Sequence, residues 1–227
     1  MRTLAILLAL LVSTSSAAYK LSVAVAPSIV TGDVDPVLAP WAGRAVAEML
    51  SWEISMVQTI RVIDPATLES KLASWDTRTD IGANEIDDAR SAGQKIDAEA
   101  VLVPRLEKRG SQATLKMAVV VHKNLQDRVV NLEVKGADDA ILGLLRMQVV
   151  NTMDSLAIPI PPAVRQMAAT RFKTKWEAVM EYGRGLKSLS EGNKEEGLRH
   201  MQETMRLDPN IPAAVVRTKT LEKELNR

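Results

Sequence analysis

The side chains able to do acid–base, nucleophilic or metal chemistry are few and scattered. His122 and His200 stand far apart in the chain, so their spacing offers no basis for a histidine-rich metal centre. Asp33 with Asp35, and Asp87 with Asp88, are the carboxylate pairs that could hold calcium or share a proton. Neither pair has the spacing of a calcium loop, and both fall where a turn or a helix start is expected. Ser28, Ser51 and Ser55 lack the Gly-x-Ser-x-Gly setting of an activated hydroxyl, and no glycine-rich run ending in Lys-Ser or Lys-Thr is present to hold phosphates. The 227 residues include no cysteine, which removes disulfides, thiolate nucleophiles, iron–sulfur clusters and cysteine-based zinc sites. No catalytic residue, metal or cofactor is expected.

The bulk composition points the same way. With 29 Lys+Arg against 28 Asp+Glu, the chain has no electrostatic footprint for nucleic acid or an anionic membrane surface. Its start is distinctive: Met1-Arg2, an apolar run from Leu4 to Val12, then small residues ending Ser16-Ala17-Ala18. That order predicts a secretory signal peptide over 1–18. The apolar run falls well short of the roughly 20 residues that cross a bilayer, so no membrane span is expected. With no cysteine near the expected cut, the reading is an exported, soluble protein that is not a lipoprotein.

What would position these residues is an alternation of short strands and helices. Residues 20–27 are small and β-branched apolar, as a buried first strand would be, and 28–40 carry the turn and breaker residues of a loop. Val46, Met49, Leu50, Ile54 and Val57 recur at helical spacing over 41–56. A strand is expected at 60–65, helices over 66–75 and 84–96 around a loop at 76–81, and strands over 98–106, 114–122 and 129–134, the first two joined by a turn at 108–111. Asp138-Asp139 could cap a helix over 140–156. The simplest way to bury these faces is a mixed-sheet α/β sandwich, in the α+β or α/β class.

Ile158-Pro159-Ile160-Pro161-Pro162 predicts a stiff linker, beyond which the sequence is all helical. The segment 178–211 has the length of a tetratricopeptide repeat. Gly185 stands where that repeat places a glycine in its first helix, Gly192-Asn193 makes the turn, and Gly197 opens the tight crossing. Met201 fills the large apolar slot and Thr204 the small one, and Leu207-Asp208-Pro209-Asn210 matches the usual ending, with Pro209 stopping the second helix. Glu181 departs from the large residue expected early in the first helix, and Ser188 from the usual tyrosine. Tyr182, Leu186 and Leu189 lie at three- and four-residue steps, so they line either a partner groove or the packing seam. A lone repeat needs its apolar faces covered by neighbours. Trp41, Trp52, Trp75 and Trp176 are read as core or domain-contact residues, with an interface role as the sharper alternative.

Taken in series, Val23-Ala24-Val25-Ala26-Pro27, the helix from Trp41 to Leu50, Ile60-Arg61-Val62-Ile63 and the run from Gly93 to Val103 resemble the amino-terminal domain of TolB and its relatives, the curli-secretion and penicillin-binding-protein-activator proteins of Gram-negative envelopes. The pattern departs at Ala26-Pro27-Ser28, where the family prefers an aromatic after the proline, and no β-propeller follows. The resemblance implies binding and assembly in the periplasm. The expected layout is a signal peptide at 1–18, a TolB-like α/β domain at 19–157, a linker at 158–162 and a repeat-like helical region at 163–227. The expected function is a periplasmic adaptor or assembly factor that binds another envelope protein. The alternatives are a self-assembling envelope component, a homo-oligomer in which another copy covers the repeat, and a small-molecule sensor.

Overall fold

Leu21–Val25 forms strand β1, five consecutive buried residues, as a strand covered on both faces requires. It runs parallel to β3 (Ile60–Ile63) on one side, with Leu21 opposite Ile60, and parallel to β4 (Ala100–Arg109) on the other, with Val23 opposite Ala100. Helix α1 (Ala39–Ser55) makes the crossover between β1 and β3. Strands β4, β5 (Gln112–Val121) and β6 (Arg128–Ala137) continue as an antiparallel meander, so the sheet order is β3-β1-β4-β5-β6. This computed structural model describes residues 20–69, 83–122, 128–170 and 173–226. The expected signal peptide, the later part of the helix at 66–75 with Trp75, and the loop at 76–81 lie outside the described residues.

Alternation along the strands divides the interior into two layers. On one face Val23, Val25, Leu102, Leu106, Leu115 and Met117 meet Val46, Leu50 and Ile54 of α1 and Leu144, Leu145 and Val149 of α4 (Ile141–Ser155). On the other, a smaller cluster of Ala24, Ala26, Val101, Val103 and Val120 packs with Leu68 of α2 (Pro65–Glu69) and Ala89 and Ala92 of α3 (Ala83–Lys95). The mixed-sheet α/β class is as expected from the sequence.

Three local expectations are corrected. The loop over 28–40 holds strand β2 (Ile29–Gly32), parallel to β4 with Ile29 opposite Arg105. Its partner lies far along the chain, so only a short β-branched run marked it. Gly32 ends it at φ +94, where an added Cβ would stand 1.8 Å from the Lys108 carbonyl oxygen. Asp138 and Asp139 do not cap α4, because Ala140 holds the N-cap with no side-chain hydrogen bond. Asp138 pairs with Lys108 at 3.2 Å, and the Asp139 carbonyl accepts the Thr174 amide at 2.7 Å. Pro162 does not extend the linker but starts helix α5 (Pro162–Ala169), a first-turn position where the missing N–H costs nothing, while Ile158 and Ile160 pack on the main core.

Helices α6 (Trp176–Ser190), α7 (Lys194–Leu207) and α8 (Pro212–Leu225) follow. Gly192, at φ +81, turns the chain between α6 and α7, and the Asn193 side chain caps α7 by accepting the Glu196 amide at 3.1 Å. Val179, Tyr182, Leu186, Met201, Ala214 and Leu221 belong to the same apolar cluster as α1 and the sheet.

Candidate functional site

Two helix crossings set the geometry of the C-terminal region. Within the α6–α7 hairpin, a Cβ on Gly185 would fall 2.7 Å from Met201 Cε, and one on Gly197 would fall 2.5 Å from Leu189 Cδ2. These glycines bring the two helices together, with Met201 fully buried in the seam. The second crossing is between α6 and α1. A Cβ on Gly183 would stand 2.9 Å from the Trp41 carbonyl carbon and 3.0 Å from the Ala42 nitrogen, so the two backbones touch where only glycine fits. Arg44, one turn along α1, lies 4.3 Å above the Trp41 ring.

Beside that crossing, Glu48 of α1 gathers two side chains from the helical region. Tyr182 donates its hydroxyl to Glu48 Oε2 at 2.6 Å. Arg217 of α8 donates Nε to the same oxygen at 3.2 Å and Nη2 to Oε1 at 2.7 Å, the two-pronged match of guanidinium to carboxylate. Burial is the main reason the Tyr182 phenol is pushed well above its ordinary range, and the neighbouring Glu48 charge adds to it. Burial pulls the Arg217 guanidinium downward, but Glu48 and Tyr182 together outweigh that and hold it above its usual value. Both Glu48 oxygens are engaged, so the cluster is an anchor between layers rather than an acid or base waiting for substrate.

A second carboxylate five residues along α1 points to the other neighbour. Glu53 accepts Nε and Nη2 of Arg146 on α4 at 3.0 and 3.2 Å, and each side chain is 6% exposed. Its rim, with Met56, Val149, Val164 and Met167, lines a shallow cleft between α1, α4 and α5.

The residues singled out from the sequence go to definite places. Tyr182 is fully buried and Leu186 is 7% exposed, both covered by this chain itself. Neither lines an open groove, because α1 occupies the face of α6 on which they lie; Leu189 is half-buried in the seam with Gly197. Pro209 follows Asp208, the C-cap of α7, whose side chain accepts the Asn210 amide at 2.8 Å. Trp41, Trp52 and Trp176 are partly buried against the main cluster. Asp35 accepts the Val37 amide at 2.9 Å, which is turn chemistry, whereas Asp33 accepts the Gly110 amide at 2.6 Å across 77 positions and ties the end of β2 to the turn between β4 and β5. Asp87 pairs with Arg90 at 2.7 Å. His122 is buried at the end of β5, its amide donating to the Glu99 carbonyl. His200 Nδ1 meets Glu181 Oε2 at 2.7 Å and its Nε2 meets Glu196 Oε1 at 3.2 Å, so Glu181 joins the two helices of the hairpin through polar contacts. Among the described residues no three His, Asp or Glu side chains are grouped to hold a metal ion.

Sequence reasoning missed Glu48, Arg217, Glu53, Arg146 and Gly183. The ion pairs join residues 169 and 93 positions apart, and no local pattern announces them. Gly183 had a signal, since a second glycine two residues before Gly185 in the same helix has no use in the hairpin seam.

No family model and no curated protein matches this sequence. Among solved structures, the C-terminal domain of LpoB from Salmonella enterica matches with a TM-score of 0.34 at 13% identity, over 54% of this chain and 85% of that one. The lipoprotein GNA1162 from Neisseria meningitidis matches with a TM-score of 0.34 at 19% identity, over 59% of this chain and 96% of that one. The localisation expected from the sequence, exported and soluble but not a lipoprotein, is corrected by this likeness: the Neisseria protein is a lipoprotein, and the exclusion of a lipid anchor does not stand. Among the described residues no helix is long and apolar enough to cross a membrane.

Proposed function

We propose that this chain is an adaptor or assembly factor of a bacterial cell envelope, binding a protein partner through its C-terminal helices and carrying out no catalysis. In this reading 19–157 is a scaffold like the TolB amino-terminal domain, 158–161 its exit, and the helices from Pro162 onward hold a tetratricopeptide-like unit. The observation that supports it best is the docking of α6 on α1 through Gly183 and the Glu48–Tyr182–Arg217 cluster. A lone repeat needs cover for its apolar faces. Here α1 and α8 supply it from within the chain, which leaves the outer faces of α7 and α8, with Gln202 and the 44% exposed Val216, as rigid presented surface.

Site-specific photocrosslinking tests this in intact cells. A photoreactive residue at Gln202 or Val216 of the full chain is expected to capture an envelope protein. Capture only from Lys116 or Glu133 on the sheet overturns the role given to the helices. Deleting 163–227 is the poorer experiment, because it strips Tyr182 and Arg217 from Glu48.

A further inference from the structure

Strand β6 is ten residues long and, among the described residues, pairs on one side only, with β5. The Asp138 amide donates to the Ser111 carbonyl at 2.9 Å, which turns the even-numbered backbone groups of β6 toward β5. By the alternation of an antiparallel ladder, Val129, Asn131, Glu133, Lys135 and Ala137 carry outward N–H and C=O groups. An edge of this length is a template for another strand.

We propose that this edge pairs with the same edge of a second copy, antiparallel, about a twofold axis at Val134, so that one sheet runs through both molecules. The charges select that register. Centred on Val134, Glu133 of each copy lies directly opposite Lys135 of the other, giving two opposite-charge cross-strand pairs. Centred on Glu133, the glutamates would face each other. Centred on Leu132, Lys135 would face Val129 and Glu133 would face Asn131, with no ion pair in either half. Within one copy Glu133 and Lys135 already meet at 2.8 Å on the exposed side of the strand, so both are oriented where the second copy needs them.

The helix above the edge fits the same arrangement. Arg146 points from α4 to Glu53 on α1, so the side of α4 bearing Met147 and Asn151 faces away from α1, over the outer edge of β6. A twofold axis normal to the sheet puts both α4 helices on one face. With strands about 4.8 Å apart and α4 lying over β5 and β6, the two helices meet at about 10 Å, an ordinary packing distance. Met147, 38% exposed in the single copy, becomes covered there.

Sedimentation equilibrium and disulfide trapping on the full chain test this. The protein is expected to dimerise with concentration. Glu133→Lys or Lys135→Glu alone sets like charges opposite and weakens the dimer on the order of tenfold, and the double exchange restores it. Because the sequence has no cysteine, Val134→Cys should crosslink to a dimer under mild oxidation, and Leu132→Cys should not. A strict monomer at high concentration, a dimer indifferent to both charge changes, or trapping by Leu132→Cys in place of Val134→Cys overturns the proposal. Capture of an extended peptide from another protein by a monomeric edge overturns it equally. Should a charge variant fail to fold, the cysteine pair still decides.

Discussion

Tyr182 of α6 donates its hydroxyl to Glu48 of α1 at 2.6 Å, across 134 positions of sequence, and so ties the C-terminal helices to the first helix of the α/β layer. Tyr182→Phe keeps the ring and removes one hydrogen bond to a charged acceptor, with an expected loss of about 1.5–3 kcal/mol. Tyr182→Ala also opens a cavity and should cost about 3–5 kcal/mol. Urea unfolding of both variants measures the difference; equal midpoints would mean that the hydroxyl and ring are idle.

The same residue predicts a pH effect. The folded-state pKa of Tyr182 is raised above its ordinary 10.0, by burial first and by Glu48 second. Its contribution is therefore complete below about pH 10 and is lost as pH rises, because the unfolded chain releases that proton earlier than the folded one. Wild type should lose stability above pH 10 more steeply than Tyr182→Phe, as melting temperatures across pH 8–11 would reveal.

Glu53 and Arg146 form a buried pair, and removing one partner strands the other. Glu53→Ala or Arg146→Ala should each cost about 3–5 kcal/mol, whereas Glu53→Leu with Arg146→Met should lie close to wild type. A double-mutant cycle by chemical denaturation checks this, and additive single losses would show the pair to be uncoupled.

Two glycines should respond in opposite directions to alanine. At Gly183 a Cβ would press on the α1 backbone at 2.9–3.1 Å, so Gly183→Ala should destabilise by about 1–3 kcal/mol. Gly143 has nothing within 4 Å, and Gly143→Ala in α4 should stabilise by about 0.5–1 kcal/mol. Thermal unfolding of the two variants side by side is the measurement, and a stable Gly183→Ala would place the α1–α6 contact elsewhere.

Much of this molecule was legible residue by residue. The apolar run of β1, the helical spacing from Val46 to Ile54, the switch to strand-like runs before and after Gly110, and the glycines at 185, 192 and 197 each carry their meaning within a short window, because backbone preference and amphipathic period are local. Less legible was β2, whose partner is seventy-odd residues away in a parallel pairing, and the caps of α4, where Asp138 prefers the distant Lys108 to the adjacent helix end.

The sequence by itself determined the element types apart from β2, the mixed α/β class, the lack of cysteine chemistry and the close crossing of α6 with α7, all of which follow from residue type and spacing. Only the tertiary structure decided what Tyr182 and Leu186 do. Their spacing along one helix face is equally compatible with an open groove and with a buried seam, and the choice depends on whether another element covers that face. Gly183 lets α1 approach to backbone contact, and Glu48 supplies the charge that Arg217 and Tyr182 need once water is excluded. Neither condition is written in any short stretch of the chain, since the groups that meet there are brought together only by the fold.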